Sequence, residues 1–311
     1  MSNRIQLKPI DLSKPVNVLF LGNGLNRCFD QNSWEKLLKN YSTIHYTDEQ
    51  VKILEALPYP LQAVVYSNDQ VDSVVAEIVK TMMPKDNIPD QNGMIQNLLD
   101  KPFEIILTTN YSYEIEKAVD SEFHCEVGLR NKYRCLTEKG SSRDQQFGLY
   151  RLNRLSMDKR CYDIWHIHGE ASIKNSIVLG HYYYGNLLRT IEEYCAKSIA
   201  YYKICKSKDL QFRPKSWIDY FLVGNVYMVG YGFDPSEMDL WWLVNCKKRH
   251  FSDVGTITMY ERTEWLGYEK RQLLEAYGII VKSIDFDSFN SIEEKCSYYN
   301  MISELIKKEN E

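Results

Sequence analysis

The chain has 311 residues, 44% of them hydrophobic and 13% aromatic, enough to bury the core of one large α/β domain or of a domain with helical lobes inserted into it. Its 38 Lys and Arg stand against 42 Asp and Glu, a formal net charge of −4, which excludes a bulk positive field and, with it, nucleic acid or an anionic membrane as the main partner. A small dissolved substrate is the simpler expectation.

The opening residues, MSNRIQLKPIDLSK, contain no apolar leader, and no segment approaches the roughly 18 apolar residues of a membrane span. A cytoplasmic location is expected. Eight cysteines, at 28, 125, 135, 161, 195, 205, 246 and 296, form no CxxC pair, so free thiols and no bound metal are expected.

In chain order, Val16 to Leu21 (VNVLFL) predicts a buried strand that ends in Gly22 and precedes a helical pattern from about Trp34 to Asn40. Residues 48 to 100 are helical in pattern, with IVKTMM and MIQNLL as apolar faces and Pro84 and Pro89 as breaks, and predict an inserted lobe. Phe103 to Leu107 predicts a second strand, running into Thr108-Thr109-Asn110-Tyr111 and the helical YEIEKAVD. Residues 124 to 160, polar and rich in Arg and Lys, receive no assignment. A third strand is predicted from Tyr162 to Ile167, ahead of His168-Gly169, and a second helical insertion at about 185 to 217, where Leu187 to Cys205 has helical spacing. Asn225 to Val229, Thr256 to Tyr260 and Ile279 to Ile284 predict three more strands, the last preceded by the helical EKRQLLEAYG, and the final IKKENE predicts a frayed tail. Short apolar strands alternating with helices indicate an α/β fold with a mostly parallel, Rossmann-like sheet whose carboxyl ends share one crevice.

Four strand ends carry the candidate chemistry. Gly22-Asn23-Gly24-Leu25-Asn26 places two glycines where backbone must approach something closely, and amides there can face a diphosphate, although a tight turn uses the same glycines. Arg27 breaks the GxGxxG pattern, and no acidic residue closes a second strand about 20 residues on, which disfavours a hydride-transferring dehydrogenase. Asn110 can orient a ribose or a water, or cap the helix that follows. His166 and His168, at alternate positions of a strand, are expected on one face. His168, next to Gly169, is the better candidate for a general base. Gly230-Tyr231-Gly232 brings bare backbone to another strand end. Asp239 either enters the pocket or, by preference, suits the start of the helix that follows, and Tyr182-Tyr183-Tyr184 suits aromatic packing more than a pocket lid.

In order and spacing, GNGLNRCFDQNSWEKLL, FEIILTTNYSYEIEKA, WHIHG and NVYMVGYGF resemble landmarks of the sirtuin-like family of bacterial antiphage defence proteins across most of the chain. The resemblance implies that Gly22, Asn23, Gly24 and Asn26 hold NAD phosphates and ribose, that Asn110 contacts the nicotinamide ribose, with Thr109 among the substrate-binding residues, that His168 is the catalytic histidine, and that Gly230, Tyr231 and Gly232 lie by the adenosine half. It implies an NAD glycohydrolase that consumes NAD as substrate in abortive infection. This sequence departs from the family at Ser112, where Asp is usual, and at Asn23, where Ala is usual. The Gly-Asn-Gly turn and HIHG followed by IVLG also resemble the abortive-infection H family. Protein-deacylating sirtuins typically carry paired zinc-binding cysteines, absent here, so hydrolysis is favoured over a zinc-free deacylase. A module sensing NAD or ADP-ribose without turnover is the main alternative. A homo-oligomer and a separate sensor or regulatory protein are the expected protein partners.

Overall fold

The structure, a computed structural model, describes residues 3–29, 46–67, 74–76, 78–79, 88–100, 102–124 and 132–310. Among them, nine strands form one sheet: β1 (Asn3–Arg4), β2 (Asn17–Leu21), β3 (Ile105–Thr108), β4 (Arg134–Leu136), β5 (Arg151–Met157), β6 (Arg160–His166), β7 (Asn225–Val229), β8 (Ile257–Arg262) and β9 (Ile280–Ile284). Their order is β1-β4-β5-β6-β3-β2-β7-β8-β9. Strand β5 runs antiparallel to β4 and β6, and the other neighbours run parallel.

Alternation along the strands sends side chains into two cores. Leu19, Leu21, Ile106 and Val229 pack with helices Tyr59–Tyr66, Pro89–Leu99, Glu114–Val119 and Ile292–Asn310. Val18, Phe20, Leu107, Trp165 and Met228 pack on the other face with helices His181–Ser207, Trp217–Val223 and Met238–His250. The central strands are buried on both faces, which is why they read as unbroken apolar runs in the sequence.

The predicted mostly parallel α/β sheet is therefore present, and all six predicted strands are found within two residues of their expected limits. The helix expected over 34 to 40 lies outside the described residues, as does much of IVKTMM. Pro89 opens a helix at its first position instead of breaking one, where its missing N–H costs nothing. The expected frayed tail is corrected. The last helix runs to Asn310, whose Oδ1 accepts from Asn17 Nδ2 at 2.9 Å and Tyr227 Oη at 3.2 Å, while Glu309 accepts from Tyr260 Oη at 2.7 Å. No described helix is long and apolar enough to cross a membrane.

From β2 the chain proceeds to β3 on one side, and from β7 to β8 on the other. The carboxyl ends of β2 and β7 thus lie at the point where strand order reverses, the place where open parallel sheets form a ligand crevice.

Candidate functional site

The glycine turns after β2 and β7 are pressed together. Gly22 N donates to Val229 O at 3.0 Å and Gly24 N to Gly230 O at 2.7 Å. A Cβ on Gly22 would stand 2.4 Å from Gly230 O, and one on Gly24 2.7 Å from the Gly230 Cα. Side chains are excluded at both positions by backbone contact. The two glycine amides are thereby engaged by the neighbouring strand end, so a phosphate would be met by other groups of the turn.

A cavity of about 260 Å³ opens at this junction, at the lower margin of small-molecule sites. Of the residues singled out from sequence, Asn23, Gly24, Thr109, Gly230, Tyr231 and Gly232 line it, whereas Gly22, Asn26, Asn110 and His168 do not. Asn26 is buried, its Oδ1 accepting from Gln91 Nε2 at 2.9 Å and its Nδ2 donating to Asn23 Oδ1 at 3.2 Å. Asn26 thus ties the turn to the Pro89–Leu99 helix. Arg27, Glu237, Glu261 and Trp265 also line the cavity and escaped the sequence reading, Arg27 because it registered only as a break in a glycine motif.

Asn110 joins three strand ends. Its backbone N donates to Thr108 Oγ1 at 3.1 Å, and that hydroxyl donates to Leu21 O at 2.8 Å. Its Nδ2 donates to Gly22 O at 3.3 Å, and its carbonyl accepts from His166 Nδ1 at 2.6 Å. The other ring nitrogen of His166 lies 2.8 Å from Glu116 Oε1. Burial depresses the His166 pKa, but the Glu116 carboxylate outweighs it and the value rises to about 9, consistent with an imidazolium donating from both nitrogens.

The expectation that His166 and His168 share a face is corrected. Strand β6 ends at His166, and Gly169 N turns back to His166 O at 3.2 Å with Gly169 at φ 99, so the alternation of an extended strand stops between the two imidazoles. His166 meets Glu116 of the Glu114–Val119 helix in one layer, while His168 Nε2 lies 2.8 Å from Asp239 Oδ2 of the Met238–His250 helix in the other. Asp239 does stand in the first turn of its helix, as expected, but it also holds an imidazole. Tyr184 packs edge-on against His168 with ring centroids 5.4 Å apart. Burial works against the charged form of His168, and Asp239 more than compensates, so its pKa lies above the ordinary value.

Behind His166, the sequence concealed a buried ionic cluster. Glu170 accepts from Arg151 Nε at 2.7 Å, Arg134 at 3.0 Å and Tyr113 Oη at 2.9 Å. Burial raises its pKa, and Arg151 and Arg134 overcome that penalty and hold it at about 2. Compared with known proteins, the chain matches no family model and no curated protein.

Proposed function

We propose that this chain is an NAD glycohydrolase that binds NAD in the crevice between β2 and β7, cleaves the nicotinamide–ribose bond and serves bacterial antiphage defence by depleting NAD. The observation that supports this reading best is the junction at Asn110, whose amide reaches Gly22 while its carbonyl accepts from His166. The glycine turn, the Asn segment and the His-Gly segment, read separately in the sequence, are thus neighbours in space. Asn110 serves as the water- and ribose-orienting group, and His168, held through Nε2 by Asp239, contributes to proton transfer. Departure of neutral nicotinamide leaves an oxocarbenium-like ribose, which water captures. A fixed arrangement of polar groups supplies the larger part of such a rate enhancement.

Incubation with NAD and chromatographic detection of free nicotinamide and ADP-ribose tests the reading, with and without an acetylated peptide. Nicotinamide with plain ADP-ribose in the absence of peptide is the expected result. Release only in the presence of peptide would assign a deacylase. One observation favours a second reading, sensing of NAD or ADP-ribose without turnover: His168 is 3% exposed, and neither it nor Asn110 lines the cavity. Saturable ADP-ribose binding with no nicotinamide release would select it.

A further inference from the structure

His168 is buried and does not line the cavity, whereas the acidic residue Glu237, at the N-cap of the helix that carries Asp239, does. Glu237 is itself only half-buried, while its Oε2 is shut off from solvent with no hydrogen-bond partner among the described residues. Asp239 Oδ1, two residues on, is likewise buried and unpartnered. A buried carboxylate oxygen with no donor costs free energy unless a proton, a water or a ligand completes it. Glu237 also interacts electrostatically with both His168 and Asp239, and unlike them it lines the cavity.

We infer that Glu237 is the proton acceptor at the cavity face, with the His168–Asp239 pair as its electrostatic partner in that proton transfer. This rests on the hydrolase reading. As the C–N bond breaks, nicotinamide departs with the bonding pair and is neutral. The water oxygen bonds to the ribose carbon, and the water's proton passes to the Glu237 carboxylate, which returns it to solvent after ADP-ribose leaves. The step needs no other reactant. The groups that interact with this carboxyl are His168 after β6, Asp239 on the following helix, Tyr111 after β3 and Tyr184 on the His181–Ser207 helix, and Asp234, Arg27 and Glu261 line the same cavity. Burial pushes the Glu237 pKa up, opposed by His168 and assisted by Asp239, to about 8. That basicity suits proton abstraction near neutral pH.

The test is the pH profile of NAD cleavage by the wild-type protein, Glu237→Gln and Glu237→Asp, alongside calorimetric binding of ADP-ribose. The wild-type rate should rise with pH to a plateau with a midpoint near 8, because only the ionised carboxylate accepts a proton. Glu237→Gln should lose roughly 10²- to 10⁴-fold in rate, with its melting temperature and ADP-ribose affinity unchanged and the rise near pH 8 gone. Glu237→Asp keeps a carboxylate and should retain a displaced rise, which provides the reading should the Gln variant fold poorly. Wild-type rates in folded Glu237→Gln, or an unaltered pH profile in either variant, would overturn the inference while leaving the hydrolase intact. A wild-type protein that neither binds ADP-ribose nor cleaves NAD would instead remove the hydrolase reading itself.

Discussion

At the scale of single residues, the two histidines of the WHIHG segment have distinct demands. Replacing His168 by Ala strands Asp239, whose Oδ1 already lacks a partner, and loss of one member of a buried pair costs about 3–5 kcal/mol. His168→Gln is the cleaner probe, because a side-chain amide can still donate to Asp239 while it cannot accept a proton as an imidazole does. We expect His168→Gln to melt close to the wild type and to cleave NAD more slowly, within the roughly 10²- to 10⁴-fold range open to acid–base help. A folded Gln variant with the wild-type rate would remove His168 from proton transfer. His166→Ala should act mainly on stability, since it removes the charged partner of the buried Glu116, which keeps the Asn153 amide, and the donor to the Asn110 carbonyl. A loss of about 3 kcal/mol or more is expected in denaturant titration, against the mere packing role that alternation along a strand suggests.

At the scale of elements, what was legible in the sequence depends on how each strand is satisfied. Strands β2, β3 and β7 are apolar runs because both faces are covered, and the glycines, Asn110 and His168 could be placed at strand ends for that reason. Strand β5 reads RLNRLSM and gave no such pattern, because its polar side chains are consumed by partners distant in sequence. Arg151 pairs with Glu170, Asn153 Nδ2 donates to Glu116 Oε1 at 3.0 Å, and Arg154 grips Asp163 at 2.6 Å. No local periodicity encodes those pairings. The cavity acids were equally hidden, since Glu237 and Glu261 become site residues only once the ends of β7 and β8 are side by side. The glycines, by contrast, were legible as close-approach positions but not as to what they approach. That distinction is testable. Gly22→Ala places a methyl against the Gly230 backbone and should cost roughly 1–3 kcal/mol, the range for overpacking. Gly232→Ala meets none of the described residues within 4 Å of the added carbon and should stay within about 0.5 kcal/mol of the wild type. Equal denaturation midpoints for the two variants would show that the β2 and β7 turns are not packed as described.

At the scale of the whole molecule, the buried charges make stability depend on pH with opposite signs at the two extremes. His166 has a folded pKa of about 9 against an ordinary 6.5, so its contribution is complete below about 6.5 and fades as pH climbs through 9. Glu170 has a folded pKa of about 2 against an ordinary 4.5, so its contribution is complete above about 4.5 and fades as pH falls toward 2. The Glu170 cluster ties together the two antiparallel pairings at one side of the sheet, because Arg134 lies on β4, Arg151 on β5, and Glu170 follows β6. Glu170→Gln leaves Arg134 and Arg151 without their carboxylate and should destabilise the chain by about 3–5 kcal/mol at neutral pH. Denaturant titrations of both proteins from pH 3 to pH 8 should show a constant difference above about 5. The difference should narrow below the ordinary glutamate range, as the unfolded wild-type chain takes up a proton that the folded Glu170, with a pKa of about 2, still resists. A gap that stays constant down to pH 3 would mean that the guanidinium–carboxylate attraction does not set the stability of this corner, and that the cost of the Gln variant is one of shape alone.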